Sequence, residues 1–282
     1  MARSKQKPVM NQVVWLTGSA SGLGLHLTEC FVRRGFRVVA TDIDIEQLLA
    51  KAQERMWPSE QLSTHKLDVR SGDDWREICD HVLQRWGAID YLFNIAGVIK
   101  PGHLYEVSDM DINIHMDINV KGVMLGCRVV AEQMLQKGTG HIVNIASTAG
   151  LAAVPGIGLY SASKFAVRAY TLALAEELRP YDVAVTVVCP DAIETPMLDK
   201  QLDFDEAALT FSGGKTLKVE DLERAVFSQI LPKKPLEVFL PFERGAMAKV
   251  ANVFPSVSQY VSQQLRKKGL SELKRRRQNT AP

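Results

Sequence analysis

Cysteine is scarce in this chain, and its few copies are scattered. The four cysteines among 282 residues lie at positions 30, 79, 127 and 189, and none forms a CxxC pair. This spacing suggests neither a structural zinc site nor a redox dithiol. Three of the four lie in apolar surroundings, which is typical of small core residues. We therefore expect a reducing, cytoplasmic location.

Long apolar runs and a strong charge of one sign are also missing. No uninterrupted apolar segment is long enough to cross a bilayer, and the N-terminus is polar, without the apolar core of a secretory signal. The formal net charge is +2, so composition gives no general argument for nucleic acid as a partner. Basic residues concentrate only at the two ends, at Arg3, Lys5 and Lys7 and from Arg266 to Arg277.

The hydrophobic fraction of 46% is that of a soluble globular protein with a substantial core. Short β-branched runs alternate with longer helical patterns, which predicts an α/β fold: a doubly wound parallel sheet in a single domain, with ligands beyond the carboxyl ends of the strands. The predicted strands are Val13 to Thr17, Arg37 to Thr41, Ser63 to Val69, Tyr91 to Ile95, His141 to Ala146, Val183 to Cys189 and Leu236 to Leu240. The predicted helices are Gly22 to Arg34, Ile45 to Met56, Asp73 to Trp86, Asp109 to Gln136 and Tyr160 to Arg179.

The less regular parts of the chain set the expected boundaries. We expect residues 1–8 to be a flexible N-terminus, 9–245 to form the folded domain, and 246–282 to be an amphipathic extension with a basic tail. Residues 191–219 mix acidic, glycine and apolar positions without a clear period, which predicts a mobile loop with short helices.

A glycine-rich turn follows the first predicted strand. The segment Thr17-Gly18-Ser19-Ala20-Ser21-Gly22-Leu23-Gly24 leads directly into an amphipathic helix. Glycines let the backbone approach a pyrophosphate, and a helix N-terminus supplies N–H donors and positive potential. A tight turn that binds no ligand has the same glycine spacing, so the turn alone leaves both interpretations open.

Asp42 ends the second predicted strand, where a carboxylate can accept hydrogen bonds from the ribose hydroxyls of adenosine and repel a 2′-phosphate. Capping of the next helix is the alternative, since Asp42 and Asp44 both precede it. No Arg or Lys occupies the turn or the position after Asp42. The pattern therefore favours NAD as cofactor over NADP.

Tyr160 and Lys164 stand four residues apart, which places a phenol and an ammonium on one face of a helix. A phenol with a pKa of about 10 is a poor base at neutral pH, and a neighbouring cation favours the phenolate. The pair is suited to acid/base chemistry, although the same spacing occurs on solvated helices with no function.

Several motifs in the right order make residues 8–245 resemble the classical short-chain dehydrogenase/reductase family. The motifs are the glycines Gly18, Gly22 and Gly24; Asp68-Val69; Asn94-Ile95-Ala96-Gly97; Asn119; Ser147; and Tyr160-Ser161-Ala162-Ser163-Lys164. This resemblance implies a Rossmann-type sheet and an oxidoreductase that exchanges a hydride with a nicotinamide cofactor.

The resemblance also implies roles for individual residues. Tyr160 matches the general acid/base, Lys164 the residue that lowers its pKa and holds the nicotinamide ribose, and Ser147 the hydroxyl that stabilises the substrate oxygen. Asn119 matches the helix residue that supports a water relay to the lysine; a polar residue that bends its own helix is the alternative. The implied cofactor contacts are Gly18, Ser21, Gly22, Leu23, Gly24, Asp42, Asp68, Val69, Asn94, Ala96, Gly97, Tyr160, Lys164 and Thr195.

Two positions depart from the family pattern. Ile95 stands where a second asparagine is usual, which does not put activity in serious doubt. Pro190 is followed by Asp191 where glycine is usual. Because Asp lacks the freedom of glycine at positive φ and adds a charge near the nicotinamide, this loop is where geometry and substrate polarity are least defined.

A metal site is the competing interpretation for the six histidines, at 26, 65, 81, 103, 115 and 141. They show no ligand spacing, although His103 and His115 can meet in the fold. We therefore expect no metal.

Substrate selection is expected from the segment after Ser147 and from the loop after Thr195. An apolar wall of Leu151, Ala152, Ala153, Val154, Pro155, Ile157 and Leu159, together with Met197, Leu198 and Leu202, favours a lipophilic alcohol or ketone. The alternative is that much of this surface packs internally.

The C-terminal extension has two interpretations. Apolar residues recur at helical spacing at Val250, Val253, Phe254, Val257, Val261 and Leu265, with Pro255 interrupting them and basic residues following. Such a segment can touch an anionic membrane. It can also pack across a subunit interface and leave a disordered basic end, which is the interpretation we favour; the family implies a homodimer or homotetramer.

The leading functional hypothesis is an NAD-dependent alcohol dehydrogenase or carbonyl reductase. An NADPH-dependent 3-oxoacyl reductase is one alternative, and a non-catalytic regulator that binds a dinucleotide is another. Intact Ser147, Tyr160 and Lys164 argue against the regulator.

Overall fold

The computed structural model describes residues 11–213 and 215–280. Its centre is a parallel sheet in the strand order β3-β2-β1-β4-β5-β6-β7. The strands are β1 Val13–Thr17, β2 Arg37–Asp42, β3 Leu62–Lys66, β4 Tyr91–Asn94, β5 Gly140–Ile145, β6 Val183–Pro190 and β7 Glu237–Leu240. This confirms the predicted α/β fold, a doubly wound Rossmann-type sheet in one domain. The flexible N-terminus predicted for residues 1–8 lies outside the described residues.

Helices cover both faces of the sheet. The α-helices are α1 Gly22–Arg33, α2 Ile45–Glu54, α3 Gly72–Trp86, α4 Asp109–His115, α5 Gly122–Lys137, α6 Gly158–Leu178, α7 Pro196–Asp199, α8 Val219–Ala225, α9 Leu231–Lys233, α10 Phe242–Val253 and α11 Pro255–Thr280. Within the described residues, none of them is both long and apolar enough to cross a membrane.

Alternating side chains on the strands build two core layers. On β1, Trp15 points into the layer formed with α3, α5 and α6, whereas Val14 and Leu16 point into the layer beneath α1 and α8. Successive side chains of a strand face opposite sides, so one buried β-branched run serves both layers. The order of strands changes direction between β1 and β4, which opens a crevice at their carboxyl ends.

Two predicted elements differ in extent. The strand predicted from Ser63 to Val69 ends at Lys66, because the Asp74 side chain and the Ser71 turn satisfy the backbone groups of Asp68. The helix predicted from Asp109 to Gln136 is broken into α4 and α5 by a π-helical segment, Met116–Lys121. Single π turns of this kind are frequent at functional sites.

The C-terminal extension corrects one expectation. Pro255 does separate two helices, as predicted, but the basic end is not disordered: α11 continues through it to Thr280. Leu273 is fully buried, and a Cβ at Gly269 would overlap the carbonyl oxygen of Ala208, so α11 packs closely on the segment Asp205–Phe211. The side chains of Val257 and Val261 lie outside the described set.

The region predicted as a loop with short helices, 191–219, contains α7 and the 3-10 segment Asp205–Phe211. Within that 3-10 segment the side chains of Ala207 and Phe211 are buried. Its mobility stays a prediction.

Candidate active site

The carboxyl ends of the strands meet at one large cleft of about 1320 Å³. One end is lined by the glycine turn after β1 and by Asp42 after β2. The other end is lined by residues after β5 and β6 and by parts of α10 and α11. The cleft is therefore long enough for an extended ligand to contact both groups of residues.

The glycine turn is held rigidly against the end of β4. The Thr17 hydroxyl accepts hydrogen bonds from the backbone N–H groups of Ile95, at 2.9 Å, and Ala96, at 3.0 Å. Gly18 and Gly22 adopt positive φ angles of 71° and 52°. A Cβ at Gly24 would overlap the carbonyl oxygen of Gly18. Only glycine permits this close return of the helix start onto the strand end.

The start of α1 is suited to an anion. Ser21 is the N-cap residue, yet its side chain makes no capping hydrogen bond, and the first turn carries no acidic residue. The first N–H groups of a helix lack partners within the helix and carry positive potential. Because Ser21, Gly22, Leu23 and Gly24 line the cleft, these donors face the space that a pyrophosphate would need.

Asp42 lies beside this turn rather than at a helix cap. One carboxylate oxygen accepts from the N–H of Ala20 at 2.8 Å and the other from the N–H of Asp44 at 3.0 Å. The helix α2 is capped instead by Asp44, whose side chain accepts from Gln47. The capping alternative for Asp42 is therefore wrong, and its carboxylate is left at the cleft wall.

Asp68 and Val69 line the cleft from the turn after β3. The Asp68 carboxylate is held by the Arg70 guanidinium at 2.6 Å, which lowers the pKa of Asp68. Arg70 also lines the cleft and escapes detection from sequence, since no motif marks it.

Asn94 requires a correction. Its side chain is buried and donates to Asn144 at 2.8 Å, within the core layer beneath the sheet. Ile95, Ala96 and Gly97 line the cleft in its place. Successive residues at a strand end face opposite sides, so a motif read as one unit divides between core and cleft.

Asn119 lies in the π-helical segment and is fully buried. Its amide oxygen accepts from the N–H of Val98 at 2.8 Å, and its amide nitrogen donates to the carbonyl of Val98 and to Ser163 at 3.0 Å. These partners are outside its own helix, so the helix-bending alternative is wrong. Asn119 therefore ties the segment after β4 to helix α6; its link to a water relay stays a prediction.

Ser147, Tyr160 and Lys164 come together on one wall of the cleft. Ser147 follows β5, and Tyr160 and Lys164 lie in the first two turns of α6, as predicted. The Lys164 ammonium donates to the carbonyl of Ile145 at 2.8 Å and lies 5.5 Å from the centre of the Tyr160 ring. Asn119 and Lys164 both approach Gly97: a Cβ added there would lie 3.2 Å from the amide oxygen of Asn119 and 3.6 Å from the ammonium nitrogen of Lys164.

Burial dominates the protonation of this group. It raises the pKa of Tyr160 to about 12, and a hydrogen bond with Ser147 offsets only part of that rise. Burial also lowers the pKa of Lys164 to about 8. Desolvation penalises both charged forms, so burial outweighs the Ser147 hydrogen bond at Tyr160, and the expected effect of Lys164 on that pKa stays a prediction. At neutral pH the Tyr160 side chain is therefore a neutral phenol.

Asp191 needs none of the freedom of glycine. Its φ is not positive, and its N–H donates to the carbonyl of Leu240 at 2.7 Å. Its carboxylate pairs with the guanidinium of Arg244, which lines the cleft from α10. The charge added by Asp191 is thus balanced by a residue that sequence reasoning missed, because Arg244 lies 53 positions later without a motif.

Thr195 is the N-cap residue of α7, without a side-chain capping hydrogen bond, and it lines the cleft beside the glycine turn. A Cβ at Gly22 would lie 3.5 Å from the Cβ of Thr195. Thr195 therefore lies on the cleft wall within contact distance of the glycine turn.

The predicted apolar wall is divided between cleft and core. Leu151 is buried in the main core, and Leu202 packs beneath the 205–211 segment. The cleft wall also contains residues that the sequence did not predict, and these belong largely to the C-terminal helices α10 and α11. The predicted residues that do line the cleft are Ala152, Ala153, Val154, Pro155, Ile157, Met197 and Leu198. The C-terminal residues on the cleft wall are Arg244, Ala246, Met247, Ala248, Val250, Ala251, Phe254, Ser262 and Leu265.

The histidines considered for a metal have other partners. Both ring nitrogens of His115 contact backbone groups, and His103 stacks on Tyr105. Among the described residues, His26, Cys30 and Glu223 do bring their ligand atoms within 4.8 Å of one another. The spacing of His26 and Cys30 on α1 is a signal that a search among histidines alone misses. Glu223 pairs there with His26 and Arg34, which fastens α8 to α1.

Comparison with known proteins supports what this geometry indicates. The model of the short chain dehydrogenase family matches residues 12–206. A 2-(R)-hydroxypropyl-CoM dehydrogenase of Xanthobacter autotrophicus is 37% identical over 202 residues, covering 70% of this chain and 80% of that protein. A 3-oxoacyl-acyl-carrier-protein reductase of Thermotoga maritima is 34% identical over 189 residues, covering 67% and 77%.

A solved structure extends the likeness to the whole fold. A short chain dehydrogenase/reductase from Burkholderia phymatum in complex with NAD superimposes with a TM-score of 0.80 at 26% identity, covering 90% of this chain and 97% of that one. With its parallel sheet, its glycine turn and its Ser147–Tyr160–Lys164 wall, the chain belongs to the short chain dehydrogenase family and is an oxidoreductase.

Proposed function

We propose that this protein interconverts a lipophilic alcohol and its ketone or aldehyde with NAD(H). The observation that carries the proposal is one continuous cleft: Ser147, Tyr160 and Lys164 line the same space as the glycine turn and Asp42. A dinucleotide at the turn and a carbonyl at Ser147 would then be neighbours. Two similar proteins support this reaction class: one is a hydroxypropyl-CoM dehydrogenase, and the other is a short chain dehydrogenase/reductase whose structure was solved in complex with NAD.

The cleft fits the cofactor by its donors and by its shape. Ser21 and the first N–H groups of α1 would hold the pyrophosphate, Asp42 the adenosine ribose, and Lys164 and Thr195 the nicotinamide end. When bound, the nicotinamide accepts or supplies the hydride. The protein side of the reaction is the proton: Tyr160 delivers it to the substrate oxygen or removes it, while the Ser147 hydroxyl hydrogen-bonds that oxygen.

The substrate end is mainly apolar. Ala152, Val154, Pro155 and Met197 line it from the segments after β5 and β6, and Phe254 lines it from the C-terminal helices. Such a wall gains free energy by covering apolar surface of a ligand. A lipophilic alcohol or ketone is therefore the substrate class that we propose.

Asp42 is expected to decide between the two cofactors. Asp42→Ser removes a carboxylate that would accept ribose hydrogen bonds and repel a 2′-phosphate, so NADH binding should weaken about 10- to 100-fold while NADPH binding improves. Fluorescence titration of both reduced cofactors measures the change. Asp44→Ser is the matched control, since Ser can cap α2 and Asp44 makes that cap outside the predicted cofactor contacts. Equal NADH affinity in Asp42→Ser would contradict the ribose assignment.

The two reaction directions are expected to differ in pH dependence. Because the pKa of Tyr160 is raised to about 12, the neutral phenol needed to reduce a carbonyl persists through neutral pH. Oxidation needs the phenolate, whose fraction grows about tenfold per pH unit below that pKa. We therefore expect alcohol oxidation to accelerate up to about 100-fold from about pH 7 to 9 while carbonyl reduction does not. Initial rates on one alcohol–ketone pair test this; parallel profiles in the two directions would refute it.

An NADPH-dependent 3-oxoacyl reductase is the second candidate, favoured by the likeness to the Thermotoga maritima reductase. The same titrations separate the two, since that function requires NADPH to bind more tightly than NADH. A panel of cyclic and long-chain secondary alcohols and their ketones then tests the main proposal. NADH binding without turnover on the whole panel would count against it. We also propose assembly as a homodimer or homotetramer, for which the family is the support.

A further inference from the structure

The two C-terminal helices carry an exposed apolar stripe. Val250, Val253 and Phe254 leave 60%, 67% and 58% of their surface exposed on α10 and its end, and Tyr260 on α11 is 71% exposed. The other face of α10 is packed: a Cβ at Gly245 would overlap the Phe239 side chain. One face of α10 is therefore fixed to the sheet, which holds the apolar face outward.

The stripe is continuous with the substrate end of the cleft. Met247, Val250, Phe254 and Leu265 line the cleft while large parts of their surfaces remain exposed. An exposed apolar surface of this extent marks an interaction site more often than an ordinary solvated helix. Its position at the rim means that whatever covers the stripe also adjoins the route to Ser147.

Positive charge follows the stripe directly. Arg266, Lys267 and Lys268 are exposed in the middle of α11. The next residue, Gly269, is buried against Ala208, and Leu273 is buried further on. The three charges are therefore carried by a helix that is anchored on the folded domain, beside the apolar stripe and not on a loose tail.

We propose that α10 and α11 dock the protein on an anionic lipid surface, so that the cleft opens towards the apolar layer from which its substrate comes. This inference rests on the proposed lipophilic substrate. Amphipathic helices bind membranes by burying apolar side chains below the headgroups, and each neighbouring Lys or Arg adds attraction to anionic lipids. Pairing of two such faces between copies of this chain would instead bring two sets of like charges to one interface, which disfavours it.

Vesicle co-sedimentation tests the docking without any turnover. The full-length protein should bind phosphatidylcholine–phosphatidylserine vesicles, bind pure phosphatidylcholine vesicles much more weakly, and lose affinity as salt is raised. The double variant Lys267→Gln/Lys268→Gln should bind the anionic vesicles about 30-fold more weakly, from about 1 kcal/mol per charge. The charge-matched control Lys66→Gln/Lys233→Gln removes two exposed lysines elsewhere and should bind as the wild type does.

A second variant tests the apolar stripe. Val253→Glu/Tyr260→Glu places charges on two exposed residues that do not belong to the cleft wall, and should weaken vesicle binding about tenfold or more. Turnover of a water-soluble alcohol should be unchanged in both double variants. Because turnover in solution and vesicle binding are separate readouts, failure of the proposed reaction is distinguishable from failure of docking.

Three outcomes would overturn the docking proposal. The first is wild-type protein that does not bind anionic vesicles. The second is equal binding to neutral and anionic vesicles. The third is an oligomer that light scattering shows to dissociate in Val253→Glu/Tyr260→Glu, which would make the stripe an interface between copies of this chain.

Discussion

Replacing Tyr160 with Phe is expected to lower kcat by about 10²- to 10⁴-fold in both directions, the range that general acid–base catalysis contributes. The substitution removes one hydroxyl from the cleft wall and leaves the ring in place. Ser147 and Lys164 stay, and the glycine turn and Asp42 are remote from the change, so NADH affinity should remain within about twofold of wild type. Steady-state rates on the best alcohol–ketone pair and a fluorescence titration with NADH measure the two effects.

Tyr170→Phe is the matched control for this experiment. It removes the same hydroxyl from the same helix, at a half-buried position that packs against the core. Activity should be retained there. If Tyr160→Phe kept full turnover, the acid/base assignment would be wrong. If the biological role of the protein survived Tyr160→Phe despite lost turnover, the regulator hypothesis would replace the enzyme.

Gly24→Ala is expected to abolish cofactor binding, with a loss of at least about 100-fold in NADH affinity and a lower Tm. The new Cβ would overlap the carbonyl oxygen of Gly18, so either α1 must move away from the strand end or the turn must open. Both movements displace the N–H groups that would hold a pyrophosphate. NADH titration and thermal unfolding are the measurements.

Two further glycines make this result interpretable. A Cβ added at Gly35 would have no atom within 4 Å, but the φ of this residue is +79°. Gly35→Ala should therefore lower the free energy of unfolding by about 1 kcal/mol and leave NADH affinity unchanged. Gly22→Ala also has room, with its nearest atom at 3.5 Å, but strains the turn itself. It should fold and still bind NADH more weakly. Normal NADH binding by a folded Gly24→Ala or Gly22→Ala protein would show that the turn does not hold the cofactor.

Much of the site could be predicted because its residues are close in sequence. Gly18, Gly22 and Gly24 lie within a strand-to-helix turn, and Tyr160 and Lys164 lie one helical turn apart. Local geometry alone places such residues together. The order of alternating strands and helices then brings the separate motifs to one edge of the sheet.

Other residues could not be assigned from their neighbours. Asn94 belongs to a motif that predicts a cofactor contact, yet its side chain points into the core. Which side of the sheet a side chain faces depends on where the strand ends. Asp191 adds an unexpected negative charge to the cleft, and only the fold shows that Arg244 on α10 balances this charge by an ion pair. Both outcomes depend on partners far away in the chain, which a sequence pattern does not identify.

The sequence by itself determined the sheet, the glycine turn and the placing of Tyr160 and Lys164 one helical turn apart, since periodicity and short spacings encode local geometry. Only the tertiary structure decided the electrostatics and the rim of the cleft. Burial in the assembled wall raises the pKa of Tyr160 to about 12, and the hydrogen bond with Ser147 offsets only part of that rise. Packing of α10 on Phe239 and of α11 on Ala208 sets apolar residues at the cleft wall and basic residues further along α11. Desolvation and the packing of helices on the domain arise from contacts between distant segments, so no single stretch of the sequence predicts either of them.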